Sequence, residues 1–121
     1  MPGVERFVRA LHARGITLAV ASSAVGDSID EILRRFGIRD LFALIVDGSE
    51  VAHGKPDPEA YLLTARKLGV APAECIVFED SHVGVVAAKR AGMACIAVRN
   101  PRARQWQDLT GADRVVDSFD S

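Results

Sequence analysis

Two adjacent carboxylates, Glu79 and Asp80, come directly after the apolar run Cys75 to Phe78. At the end of a buried strand such a pair repels itself, and burial further penalises its charge. A hard cation such as Mg²⁺ relieves both difficulties, because it takes oxygen ligands. The plainer alternative is that Asp80 or Ser81 caps the helix that follows; Asp80 could do that and also bind metal. His82 is adjacent, but Mg²⁺ prefers oxygen, so its expected place is beside a substrate or behind a ligand at most.

Two further groups suit an anionic ligand. Ser22 and Ser23 follow the apolar run Leu18-Ala19-Val20-Ala21. A hydroxyl at a strand end, just before a helix, can donate to a phosphate oxygen, and the helix N-terminus adds N–H groups and a favourable dipole. Taken alone, Ser22, Ser23 or Asp27 reads equally as a helix cap. Lys55 stands in Gly54-Lys55-Pro56-Asp57-Pro58, where two prolines fix the backbone. A lysine on so rigid a loop is a localised positive charge, suited to a phosphoryl oxygen or a carboxylate. With Lys67 and Lys89 it completes the lysines of the chain, so its placement stands out from a generally charged surface. His53 reads as loop polarity. Asp47-Gly48 looks like part of an Asp-x-Asp-Gly loop, but Leu44-Ile45 precede it where a second acid is needed. Gly84 and Gly92 are too far apart for a dinucleotide-binding loop.

These groups need a scaffold that gathers them. Val4, Phe7, Val8 and Leu11 recur at helical spacing after Pro2, and Gly15 ends that helix. Ile16 to Ala21 is a short apolar run. Ile29, Ile32, Leu33 and Phe36 mark a second helix closed by Gly37. Phe42 to Val46 is a second short run, followed by a turn and a loop over Val51 to Pro58. Tyr61, Leu62, Ala65 and Leu68 outline a third helix, ended by Gly69. Cys75 to Phe78 is a continuous apolar strand. Val83 to Ala91 is a helix with a small-residue face at Ala87, Ala88 and Ala91, stopped by Gly92. Ala94 to Val98 and the weaker Val115-Val116 are the last strands. Apolar strands alternating with helices predict a parallel sheet covered on both faces, with right-handed crossovers. Ligands of such sheets bind beyond the carboxyl ends of the strands. The residues there are Ser22-Ser23, Asp47, Glu79-Asp80 and Arg99-Asn100.

The length of 121 residues fits one domain, spanning 1–121. With 49% hydrophobic and 26% charged residues the chain is globular rather than disordered. A formal net charge of −1 gives no reason to expect nucleic acid or a membrane surface as partner. The apolar runs are too short to span a bilayer, and no signal-peptide pattern opens the chain, so the cytoplasm is the default. Cys75 and Cys95 read as buried free thiols.

The order of motifs resembles the haloacid-dehalogenase superfamily, and within it the small-molecule phosphatases and β-phosphoglucomutase-like proteins. The resemblance rests on an apolar strand ending in Ser22, then Gly54-Lys55-Pro56-x-Pro58, then Glu79-Asp80-Ser81-x-x-Gly84-x-x-Ala87-Ala88-x-x-Ala91-Gly92. It implies a three-layer Rossmann-like α/β fold and a Mg²⁺-dependent phosphohydrolase or phosphomutase acting on a small phosphorylated metabolite. It also implies that Ser22 binds the transferring phosphoryl group, with Ser23 beside it. Lys55 would stabilise the charge of that group and of the nucleophilic carboxylate, and Glu79 and Asp80 would hold Mg²⁺ directly or through water.

One departure from the family is large. The family carries an Asp-x-Asp motif on a first strand upstream of the serine motif, with a helical cap between them. Here Glu5 is the only acid before Ser22. The resemblance therefore implies a core without its first strand, nucleophile or cap, and little turnover by this chain alone. The missing strand would lie between those ending at Ser22 and Glu79, leaving two open edges. Three outcomes are expected: the two strands pair directly, another chain fills the gap, or the chain is part of a longer protein, the outcome we favour along with a truncated gene product. A second reading is a non-catalytic phosphate-binding or assembly module, a homo-oligomer joined through those edges. A nucleotide-binding domain ranks last, for want of a glycine-rich loop after the first strand.

Overall fold

The computed structural model describes residues 3–23, 28–99 and 107–119. Helix α1 (Val4–Ala13) leads to β1 (Ala19–Ala21), and α2 (Ser28–Arg35) leads through a short turn to β2 (Leu44–Val46). Helix α3 (Glu59–Leu68) precedes β3 (Ile76–Glu79), and α4 (His82–Arg90) precedes β4 (Ala94–Val98) and β5 (Arg114–Val116). Each apolar run read as a strand contains one. The first two are shorter at their N-terminal ends than the sequence suggests. Ile16 is tied to the end of α1 by its N–H bond to the Leu11 carbonyl (3.1 Å), and a turn over Arg39–Leu41 occupies the approach to β2.

Glycine stops act as predicted. Gly69 (φ 73°) and Gly92 (φ 80°) take the left-handed conformation that costs a side-chain-bearing residue dearly. Each lets the next residue bond back to the helix, Val70 N–H to Ala65 O and Met93 N–H to Ala88 O, both at 3.1 Å.

All strand pairs are parallel, but they form two sheets rather than one. β1 pairs with β2, Ala19 opposite Leu44 and Ala21 opposite Val46; β3, β4 and β5 make the second sheet in that order. Direct pairing of the strands ending at Ser22 and Glu79, one of the three expected outcomes, is thus corrected. Among the described residues β1 bonds only to β2, and β3 only to β4. The two strands keep between them the gap that the resemblance implied, and the Lys55 ammonium bonds to groups at both of their C-terminal ends.

The main core lies between the larger sheet and helices α3 and α4. Ala87, Ala88, Cys95 and Ala97 are fully buried, so the alanine face of α4 lets it lie close on β4. Ala21 of β1 packs on the same core; α3 lies on β1 and β2 and reaches β3 through the Tyr61–Glu79 hydrogen bond. On the opposite face Phe7 of α1 meets Phe78 edge-on (centroids 5.0 Å apart), with Phe119 beside both. The result is helix, sheet and helix in three layers. Cys95 is fully buried and Cys75 only partly so; both are free thiols. Burial, with Glu79 and Asp113 nearby, pushes the Cys95 thiol up to about 11.

Candidate functional site

The site is built on the loop before α3. Asp57 N–H bonds to Gly54 O (3.0 Å), and the Asp57 carboxylate accepts from Glu59 N–H (2.9 Å), fixing the start of the helix. Glu59 in turn accepts from the backbone N–H groups of Ala52 and His53. The Lys55–Pro56 peptide is cis. Held in this way, Lys55 extends its side chain inward until it is only 12% exposed.

Its ammonium donates to Ala21 O at 3.4 Å and to Glu79 Oε2 at 3.1 Å. One side chain thereby joins the C-terminal end of β1, immediately before Ser22, to the C-terminal end of β3. Ser22 itself is fixed by its N–H bond to Val46 O (2.8 Å). Ser23 follows on the exposed rim, and Asp80 follows Glu79. Ser22, Lys55, Glu79 and Asp80 are therefore neighbours along one rim.

Glu79 is 10% exposed and its carboxylate is fully engaged. Oε2 accepts from Lys55 and from the Tyr61 hydroxyl (2.6 Å); Oε1 accepts from Asp80 N–H and Ser81 Oγ–H, both at 3.1 Å. Burial is the largest single influence on this carboxyl and raises its pKa. The Lys55 charge, the hydrogen bonds from Tyr61 and Lys55, and the Asp80 N–H together outweigh it and hold the group below the usual carboxylate range. Burial, then the negative Glu79, pushes the Tyr61 phenol far above its ordinary value, so it remains a donor.

Ser81, not Asp80, caps α4: its Oγ accepts from Gly84 N–H at 3.1 Å while donating to Glu79. Ser81→Ala removes both bonds and is expected to cost about 1–2 kcal/mol in urea unfolding. Asp47 caps the short turn after β2, accepting from Ser49 N–H (2.8 Å). His82 turns away to the 107–108 segment, with Nδ1 2.8 Å from Asp108 O. Arg99 pairs with Asp117 at 3.2 Å. Asp27 and Asn100 lie outside the described residues.

Tyr61 was not foreseen as a residue of the site, and Gly84, part of the sequence motif, was not foreseen in its role. Tyr61 reads in sequence as an ordinary apolar position of α3. Its signal is that a buried tyrosine hydroxyl must find a partner, and a strand-end carboxylate is an available one. Gly84 gives room: a Cβ there would overlap the Glu79 carboxylate.

A match to the haloacid dehalogenase-like hydrolase family model covers residues 1–92. The chain belongs to that family. This haloacid dehalogenase-like chain is 40% identical over 116 residues to the β-phosphoglucomutase of Bacillus subtilis, covering 96% of itself and 48% of that enzyme. It is 35% identical over 119 residues to hexitol phosphatase B of Escherichia coli K12, covering 98% of itself and 54% of that enzyme. Among solved structures, CbbY from Rhodobacter sphaeroides in complex with phosphate superposes with a TM-score of 0.89 at 37% identity. That match takes in 98% of this chain and 53% of that one. The chain spans about half the length of these relatives.

The donors present do not by themselves make a magnesium site. Among the described residues no group of three or more His, Cys, Asp or Glu side chains is placed to hold an ion. Each Glu79 oxygen already has two donors from the haloacid dehalogenase-like core itself. The same described residues include no helix long and apolar enough to cross a membrane.

Proposed function

We propose that the complete protein is a phosphohydrolase or phosphomutase of small phosphorylated metabolites, and that this chain supplies its phosphate-cradling half. The observation that carries the reading is the Lys55 ammonium, held between Ala21 O, next to Ser22, and Glu79. A fixed cation beside a strand-end hydroxyl is the preorganised charge that phosphoryl transfer needs. Ser22 and Ser23 would donate to the phosphoryl oxygens, and Lys55 would offset their charge. Mg²⁺ belongs to this reading only with oxygen donors from beyond the described residues, joined to Asp80. A cytoplasmic location accompanies it.

Inorganic phosphate is the direct probe. Added to the ¹⁵N-labelled chain, it should shift the Ser22 and Ser23 amides in a saturable way, and Lys55→Met should weaken that binding by about tenfold or more. Unmoved amides would remove the reading. The chain alone should hydrolyse an aryl phosphate with Mg²⁺ no faster than buffer, because no described group offers the nucleophile. Turnover that disappears in Asp80→Asn would contradict this.

A second reading, an assembly module, is favoured by the edges of β1 and β3 that face no strand among the described residues. It predicts concentration-dependent association in sedimentation velocity. A monodisperse monomer over the micromolar range counts against it.

A further inference from the structure

We propose that Tyr61 is a positioning residue which, through Glu79, fixes the ammonium of Lys55, and that Glu79 is the anchor of that cation rather than a ligand of Mg²⁺. The proposal rests on the phosphate-site reading and deepens it.

The geometry is a closed set of contacts. Tyr61 touches both members of the ion pair. Its hydroxyl donates to Glu79 Oε2 at 2.6 Å, and its ring lies 5.0 Å from the Lys55 ammonium. A cation over an aromatic face is attracted by the ring quadrupole. The ring is itself held in the core, 7% exposed, on the helix that packs against β1, β2 and α4. Lys55 loses most of its side-chain freedom here, and a lone surface lysine would resist that loss. One ion pair in a fold is a weak constraint; a pair whose carboxylate is clamped from behind is a strong one.

The same contacts argue against metal ligation by Glu79. A carboxylate has about four lone-pair directions. Those of Glu79 meet Lys55, Tyr61, the Asp80 N–H and the Ser81 hydroxyl. A cation could reach it only by displacing a donor, and the nearest candidate for displacement is another cation, Lys55. Gly84 backs the carboxylate so closely that a methyl group would not fit, which limits its turning. Tyr61 and Glu79 thus act on the phosphate site through Lys55, without touching its ligand.

The test is NMR of the Lys55 ammonium in the full chain. In the unsubstituted protein a slowly exchanging Nζ signal should appear, with a through-hydrogen-bond coupling to the Glu79 carboxylate carbon. Tyr61→Phe keeps the ring and removes the hydroxyl. It should speed exchange at that ammonium by about tenfold and weaken the coupling, with the other backbone amides little changed. Adding Mg²⁺ to the unsubstituted protein should leave the coupling in place. Exchange in Tyr61→Phe within about twofold of the unsubstituted rate would overturn the proposal. So would the absence of a protected Lys55 signal, or loss of the coupling on adding Mg²⁺. Phosphate addition judges the underlying reading separately: if Ser22 and Lys55 do not respond at high millimolar concentration that reading fails, whatever the ammonium shows.

Discussion

Gly84→Ala destabilises the chain by about 2–3 kcal/mol in urea unfolding, although the same change in an open helical position would stabilise it. Gly84 lies in the first turn of α4, where alanine should gain up to about 1 kcal/mol of helix propensity. That gain is overridden because the new methyl would occupy the space of the Glu79 carboxylate, the end of its side chain, which four hydrogen bonds hold in place. Glu79 must move, and its bonds to Lys55, Tyr61, Asp80 and Ser81 move with it. Gly111→Ala is the internal control. A Cβ at Gly111 would meet Val85 at 3.6 Å, an ordinary contact, and its effect should stay within about 0.5 kcal/mol. Equal effects at the two positions would show that the carboxylate does not depend on the space at Gly84.

Glu79→Gln should cost about 2–4 kcal/mol, because it leaves the Lys55 ammonium largely buried without its counter-charge. Both side chains are about nine-tenths shielded from solvent, so water cannot take over the role of the carboxylate. The double change Lys55→Met with Glu79→Gln should be less damaging than the sum of its parts, by about 1–3 kcal/mol. Strict additivity in that cycle would mean the pair does not interact. The pH dependence has a definite sign. A carboxyl held below its usual range in the folded state binds its proton less readily there than in the unfolded chain. Its stabilisation is therefore complete above the ordinary carboxylate pKa of about 4.3 and lost as pH falls through the folded value. Glu79→Gln should flatten that acid limb of the unfolding curve, and an unchanged limb would assign it to other carboxyls.

Much of this architecture was legible because it is written locally. Helix ends were marked by Gly69 and Gly92, and strand ends by the step from Phe78 to Glu79 or from Ala21 to Ser22. The rule that open parallel sheets bind at their carboxyl ends then pointed to Ser22 and Glu79-Asp80, while Lys55 stood out from its rigid proline loop. What escaped the sequence depends on contacts between distant segments. Nothing near Tyr61 in the chain reveals that its hydroxyl meets a carboxylate 18 residues later. Nothing near Gly84 reveals that the space it leaves belongs to Glu79. The division into two sheets was legible only through the resemblance, which implied a gap between the strands ending at Ser22 and Glu79; an apolar run announces a strand but not its neighbour. The expected metal role of Glu79 came from its charge, its position and the resemblance; the donors that occupy its oxygens come from four separate groups.

That β1 and β3 share no backbone ladder among the described residues bears on how the molecule comes apart. Cohesion across that seam is made by side chains: Lys55 at the rim, Ala21 on the core, and Tyr61 of α3, a helix on β1 and β2, bonded to Glu79 of β3. A seam of this kind opens at lower free energy than a strand ladder, so the fold divides into two cooperative units. Amide hydrogens of Val20 and Val46 should exchange through a partial opening, well before those of Cys95 and Ala97, which wait for the whole chain to unfold.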